Sequence, residues 1–226
     1  MEVVKTENLQ KIYAVPSGAV RALDGVSISI EEGEFAAIIG SSGSGKTTLL
    51  NMLGGLDQPT EGSVTIRNRS LEQLTQEELT VFRRRNIGFV FQNYNLLPIL
   101  SVEENITLPL KLDGAGLDAA FFAQVVEVLG IEDKLCNMPE TLSGGQQQRV
   151  AIARALMTKP AVILADEPTG NLDSRTGLEV IGLLKASAAR FGQTMVIVTH
   201  NEEIAQMADR MIRIEDGKVR GGSDAE

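Results

Sequence analysis

The chain has 226 residues, a net charge of −9, 43% apolar and 23% charged side chains, a balance that builds a substantial core and opposes general nucleic-acid binding, which wants a basic surface. Its single cysteine, Cys136, excludes an intrachain disulfide and fits a reducing compartment. The N-terminus MEVVKTENLQKIY lacks the basic-then-apolar layout of a signal peptide, and no apolar run approaches the roughly 18 residues of a bilayer span, so a cytoplasmic protein is expected.

In chain order, Val3-Val4, Leu9, Tyr13 and the alternating run 26–30 predict half-buried, antiparallel strands. EEGE (31–34) is a turn, and FAAII (35–39) is a continuous apolar run that fits a fully buried parallel strand. Residues 47–56 have helical character and end at Gly54-Gly55, and 63–66 and 87–91 read as strands. The basic run Arg83-Arg84-Arg85 reads as a solvated helix end or turn rather than a nucleic-acid patch. Residues 102–112 predict a helix broken at Pro109, and 119–129 carries apolar residues on a helical period, so an inserted helical subdomain is expected over about 93–145. After Gln146 the pattern is helix, strand (162–165), helix (176–190), strand (195–198) and a hairpin (211–219), with a terminal GGSDAE expected to fray. Helices alternating with apolar strands imply a parallel α/β core.

Chemistry concentrates in a few places. GSSGSGKT, comprising Gly40, Ser41, Ser42, Gly43, Ser44, Gly45, Lys46 and Thr47, matches the phosphate loop G-x-x-x-x-G-K-[ST] between a predicted strand and a predicted helix. Its glycines let backbone N–H groups face the phosphates, Lys46 adds a point charge, and the Thr47 hydroxyl can ligate Mg²⁺. The strand 162–165 ends in Asp166-Glu167, which places Asp166 to hold Mg²⁺ and Glu167 to polarise an attacking water. His200, the only histidine, follows another apolar strand and could touch the same water and the γ-phosphate, and Gln92, after the strand 87–91, offers a neutral oxygen to metal and water. Tyr13 reads on its own as ordinary strand packing, with stacking on adenine as the alternative. LSGGQ (142–146) sets Ser143, Gly144, Gly145 and Gln146 at a helix start: a glycine cap, or a second phosphate-binding terminus that lacks a lysine.

Taken together, GSSGSGKT, Gln92, LSGGQ, ILADE, the loop Gly170-Asn171-Leu172-Asp173 and His200 resemble, in order and spacing, the signature set of the ABC transporter nucleotide-binding domain, and the resemblance spans essentially the whole chain. It implies an α/β P-loop NTPase with a RecA-like parallel core, an N-terminal antiparallel β subdomain and the inserted α-helical subdomain, all in one ATP-binding domain over 1–226. It implies ATP and Mg²⁺ as cofactors, with Tyr13 as the adenine-stacking aromatic, residues 40–48 including Thr48 on the phosphates, and Thr47, Gln92 and Asp166 on the metal. Catalysis falls to Glu167 as base, with His200, Lys46 and Gln92. The second phosphate site then belongs to a partner: two copies close head to tail, each LSGGQ capping the γ-phosphate held by the other, and Asp173 of the loop 170–173 counts among the nucleotide-binding residues.

The run 87–110, with LSGGQQQRVAIARAL and ADEPTGNLD, is similar to the branch of lipoprotein-release, macrolide-export, cell-division and antimicrobial-peptide-resistance ATPases, the last being the nearest reading on the texture of 83–112. This implies a separate multi-span permease with an extracytoplasmic domain, a peripheral place on the inner face of the cell membrane, and export or removal of an antimicrobial peptide, drug or lipid-linked substrate. The alternative is a regulatory or mechanical ATPase of cell-division type that controls a membrane partner without transport. A soluble ABC ATPase of DNA repair or translation is disfavoured, since neither a long coiled coil nor a second cassette is present.

Overall fold

The computed structural model describes residues 1–16 and 18–220; the tail expected to fray lies outside the described residues. The chain opens with two long strands, β1 (Glu2–Val15) and β2 (Gly18–Glu31), paired antiparallel as the alternation predicts. Then come β3 (Phe35–Ile39), α1 (Lys46–Leu53), β4 (Glu61–Ile66), β5 (Arg69–Ser70), α2 (Gln76–Asn86) and β6 (Ile87–Phe91). The middle of the chain is helical, with α3 (Val102–Asp113), α4 (Ala119–Leu129) and α5 (Gly144–Leu156). The last part alternates: β7 (Val162–Asp166), α6 (Ser174–Phe191), β8 (Thr194–Val198), α7 (Glu202–Ala205), β9 (Arg210–Glu215) and β10 (Lys218–Arg220). Among the described residues the strands form two sheets, an antiparallel one in the order β2-β1-β4-β5 and a second in the order β10-β9-β3-β8-β7-β6. In the second sheet only the edge strand β10 runs antiparallel.

The central strands read as unbroken apolar runs because they are buried on both faces. Successive side chains of a strand point to opposite sides. Phe35, Ala37 and Ile39 of β3, Ile163 and Ala165 of β7, and Met195 and Ile197 of β8 enter one cluster with α5 and α6. Ala36 and Ile38, Val162 and Leu164, and Val196 and Val198 enter the other, with α1 and the antiparallel sheet. Between β6 and α5, the helices α3 and α4 send Val102, Ile106, Val125 and Leu129 into the α5–α6 cluster. The helical insertion thus shares apolar contacts with the core on which α5 lies.

Two expectations are corrected here. Helix α3 does not break at Pro109 but runs through it to Asp113. The bond lost at the proline is outweighed by what fixes the two ends of the helix and its buried face. Ser101 and Glu104 form a capping box, Gly114 closes the C-terminus in the left-handed region, and Val102, Asn105 and Ile106 are fully buried. The arginine run does sit at a helix end, in the last turn of α2, but it is not merely solvated. Arg84 donates to the Leu112 carbonyl and Arg85 Nε reaches Asp113 Oδ2 at 2.9 Å, so α2 holds the C-terminus of α3, where cations are favoured. Helix α2 itself, begun by the Thr75–Glu78 capping box, is an element the apolar period does not announce, because only Leu79 is buried on it. Ser101→Ala removes the side-chain half of the α3 cap and should destabilise the protein by about 1 kcal/mol, read as a lowered urea midpoint with an unchanged slope.

Candidate active site

One register builds the site. The parallel pairings set Ile38 opposite Val198, Val198 opposite Asp166, and Asp166 opposite Phe91. The segments that follow, namely the loop 40–45, Thr199-His200, Glu167 and Gln92, therefore leave the same edge of the sheet, the edge at which open α/β sheets take their ligands. Residues more than a hundred positions apart in sequence meet there.

The loop 40–45 packs against the backbone of β2 and β9. Gly45, at the N-terminus of α1, has φ 106° and leaves no room for a Cβ against the Ala22 carbonyl, so only glycine serves. Lys46 is buried, and its ammonium donates to the carbonyls of Gly40 at 2.9 Å and Ser41 at 2.8 Å, with no carboxylate paired to it among the described residues. Ser44 Oγ is buried without a hydrogen-bond partner among the described residues, while Ser41, Ser42 and Gly43 form an exposed rim. An unpaired cation, an orphaned hydroxyl and the free first-turn N–H groups of α1 fit a polyphosphate. The cleft of about 340 Å³ above the loop is lined by Gly43, Gly45, Lys46, Thr47 and Thr48 on one side. Val20–Ala22 and the turn Asp216-Gly217 line the other, and sequence reading missed both because they carry no motif. Tyr13 pairs with Val20 of that wall, is part-exposed, and donates through its hydroxyl to Asp57 Oδ2 at 2.9 Å.

Facing the loop, the Thr47 hydroxyl lies 3.4 Å from Asp166 Oδ1. A hydroxyl and a carboxylate with phosphate oxygens nearby are the oxygen donors that Mg²⁺ takes. Burial pushes the Asp166 carboxyl above its ordinary range; the Glu167 charge adds to this, while the Thr47 hydrogen bond and Lys46 oppose it. Glu167 turns out of β7 with φ 43°, unusual for a residue with a side chain, and its N–H donates to the Val198 carbonyl at 3.0 Å. That turn brings Glu167 Oε1 to 2.8 Å from His200 Nδ1. His200 is largely exposed whereas Glu167 is mostly covered, so the ring stands over the carboxylate from the solvent side.

Gln92 and the start of α5 stand apart from this cluster. Gln92 lies at the right strand end, but its amide donates to Asn171 Oδ1 at 3.1 Å and not to Asp166 or Thr47. Ser143, Gly144, Gly145 and Gln146 start α5 with a reciprocal Ser143–Gln146 capping box and share no lining residue with the Lys46 cleft. Gly144 faces the Tyr94 hydroxyl and Leu172, and Gly145 packs on Thr176. Asp173 caps α6 by accepting from Thr176 N at 3.1 Å, and bonds from Thr176 hold its carboxyl below the usual range. It also lines a smaller cleft with Glu167 and His200.

Loop, paired carboxylates and strand order together define a P-loop nucleoside triphosphatase site. A family model described as ABC transporter matches residues 23–170. The ABC transporter ATP-binding protein MJ0796 of Methanocaldococcus jannaschii is 47% identical over 223 residues, covering 96% of this chain and 95% of that one. Its structure in a dimeric post-hydrolysis state with ADP and Pi aligns with a TM-score of 0.85 over 97% of both chains. The lipoprotein-releasing system ATP-binding protein LolD of Pseudoalteromonas translucida is 42% identical, covering 96% of this chain and 94% of its own. The macrolide export ATP-binding/permease protein MacB of Rhodopirellula baltica is 44% identical over 96% of this chain, which spans 32% of that longer protein. The chain belongs to the ABC transporter family, in the branch that holds LolD and MacB, and is an ATP-binding subunit of the kind that hydrolyses ATP.

A carboxyl whose pKa is raised by folding holds its proton more tightly in the folded state than in the unfolded one. Its contribution to stability is full below the unfolded pKa and is lost as pH rises through the folded pKa. Ionised Asp166 therefore opposes folding at neutral pH. Asp166→Asn should raise the melting temperature of the nucleotide-free protein at neutral pH, and thermal melts at decreasing pH should show the gain vanish where the wild-type carboxyl is protonated.

Proposed function

We propose that two copies of this chain form a head-to-tail pair that binds MgATP between them and drives a membrane permease by hydrolysing it. The observation that carries this reading is the division of phosphate-binding features. The Lys46 loop, Asp166, Glu167 and His200 share one strand edge, whereas the glycine-rich start of α5 lies outside that cleft and has no lysine. A second copy supplies the missing half of each site. The dimeric state of MJ0796 with ADP and Pi supports pairing of two copies.

In this reading the phosphates of ATP lie on residues 40–48 with adenine on Tyr13. Thr47, Asp166 and Gln92 would hold Mg²⁺, which when bound neutralises charge on the phosphates. Ser143, Gly144, Gly145 and Gln146 of one copy cap the γ-phosphate held by the other, with Asp173 in the cleft beside Glu167 and His200 as a further nucleotide-binding residue. Glu167 takes a proton as the water oxygen bonds to the γ-phosphorus; the bond from that phosphorus to the bridging oxygen breaks, leaving ADP and phosphate. Lys46 stabilises the charge gathering on the leaving oxygens, and His200 holds Glu167 and the γ-phosphate in line. Loss of the shared γ-phosphate lets the two copies part.

Gln92 and the part of the helical subdomain around residues 93–112 pass this motion on to the permease. A groove of about 540 Å³ between α2, α3, α5 and β6 has Phe89 and Phe91, stacked 5.3 Å apart, on its floor, with Arg83, Arg84 and Arg154 at its edges. It suits an apolar segment of the permease flanked by acidic residues. No helix among the described residues is long and apolar enough to cross a membrane, so attachment at the inner membrane face would run through that permease. The names of LolD and MacB support a lipid-linked or drug substrate, and removal of an antimicrobial peptide is the variant the sequence of this region favours. Co-purification with a permease that moves such a substrate across reconstituted vesicles tests this; a permease that binds yet moves nothing would favour the mechanical alternative.

Two substitutions test the chemistry. Glu167→Gln should keep ATP binding, trap the ATP-bound dimer and lower turnover at least about a hundredfold, measured as phosphate release; near-normal hydrolysis would overturn the base assignment. Gly145 is a poor place to probe the cap, since a Cβ there would stand 2.7 Å from Thr176 Cγ2. Ser143→Asp preserves the helix cap and adds a charge that repels phosphate. It should leave monomer nucleotide binding intact and abolish ATP-driven dimerisation of the Glu167→Gln protein on gel filtration; loss of monomer binding instead would mean the loop serves its own site.

A further inference from the structure

The side chain of Gln92 occupies a position made by two other residues. On one side stands Gly170: a Cβ there would lie 2.6 Å from Gln92 Nε2 and 2.7 Å from its Cδ, so the amide fits only because position 170 has no side chain. On the other stands Asn171, whose amide engages the Gln92 segment three times. Asn171 Oδ1 accepts from Gln92 Nε2 at 3.1 Å, and Asn171 Nδ2 donates to the Gln92 carbonyl at 3.0 Å and to Asn93 Oδ1 at 2.9 Å. The turn that carries both residues begins at Glu167, where the Gly170 N–H donates to the Glu167 carbonyl at 2.9 Å. The seat for Gln92 is thus built on the backbone of the catalytic carboxylate.

We propose that Gly170 and Asn171 are positioning residues that hold Gln92 away from Asp166 and Thr47 and release it as the metal–nucleotide site fills. The seated amide donates its hydrogen to Asn171, and the three-bond bracket fixes the backbone from which Gln92 projects. To reach the metal, Gln92 must give up the bond to Asn171, which weakens its hold on the ion by the worth of that bond. Because the seat shares a turn with Glu167, movement of the segment 170–173 would free Gln92 and adjust the base in one step. This inference rests on the proposed role of Gln92 toward Mg²⁺.

The test is the affinity for a non-hydrolysable ATP analogue, measured by calorimetry with Mg²⁺ and with EDTA, the ratio of the two giving the Mg²⁺-dependent gain. Asn171→Ala removes the bracket and Gly170→Ala fills the seat. Each should enlarge that gain roughly threefold to tenfold, the range one neutral hydrogen bond supports, while the EDTA affinity stays within about twofold. In a Gln92→Ala background neither change should have any further effect. If Gln92→Ala alone leaves the Mg²⁺-dependent gain untouched, the assignment of Gln92 to the metal fails. If Gln92→Ala lowers the gain but Asn171→Ala and Gly170→Ala do not alter it, or alter it equally without Gln92, the holding role fails while the metal assignment stands.

Discussion

The alignment of parallel strand ends is the constraint on which the rest of the molecule depends. Parallel pairing places the carboxyl ends of β3, β8, β7 and β6 at one edge, and the register fixes Ile38, Val198, Asp166 and Phe91 side by side. Everything chemical is one or two residues beyond that line. The register is itself held by burial on both faces: a slip of one residue would exchange the side chains of the two apolar clusters, Phe35 and Ile39 for Ala36 and Ile38, and neither side could absorb the exchange.

A second set of contacts ties the segment after β6 to both ends of the chemistry. Asn171 grips Gln92 and Asn93, while Arg154 of α5 donates to the carbonyls of Tyr94 at 2.7 Å and Asn95 at 2.6 Å. Tyr94 and Asn95 both have positive φ, so their carbonyls turn toward α5 where a guanidinium can satisfy them together. Burial lowers the Arg154 pKa, and the two carbonyls offset part of the cost of covering an ion that has no carboxylate paired to it among the described residues. The Tyr94 hydroxyl also rests against Gly144. The segment 92–95 is accordingly coupled to the turn after Glu167 on one side and to the start of α5 on the other.

Much of the fold was legible in the residues. FAAII, VILA and the run 195–198 announce doubly buried strands, and 119–129 gives α4 with its bounds. Helix α2 was hidden because only Leu79 on it is buried and no apolar stripe marks it. The continuity of α3 through Pro109 was hidden because a proline reads locally as a breaker, whereas part of what outweighs it is tertiary: the burial of Val102, Asn105 and Ile106, and Arg84 and Arg85 on another helix holding its C-terminal end. The backbone walls of the phosphate cleft, Val20–Ala22 and Asp216-Gly217, contribute through their path rather than their side chains, and no sequence pattern encodes that.

By itself the sequence determined the chemical parts: the glycine loop with Lys46, the carboxylates after β7, His200 after β8, and a lysine-free glycine cap at 143–145. It could do so because each is a local pattern whose physics, a free helix N-terminus or a strand end, is contained in a few consecutive residues. Only the tertiary structure decided which parts meet. It set Glu167 against His200 at 2.8 Å, kept the start of α5 outside the Lys46 cleft, and seated Gln92 on Gly170 and Asn171. Those outcomes depend on strand register and on close approach between segments about 30 to 80 residues apart, and neither leaves a trace in the order of residues along the chain.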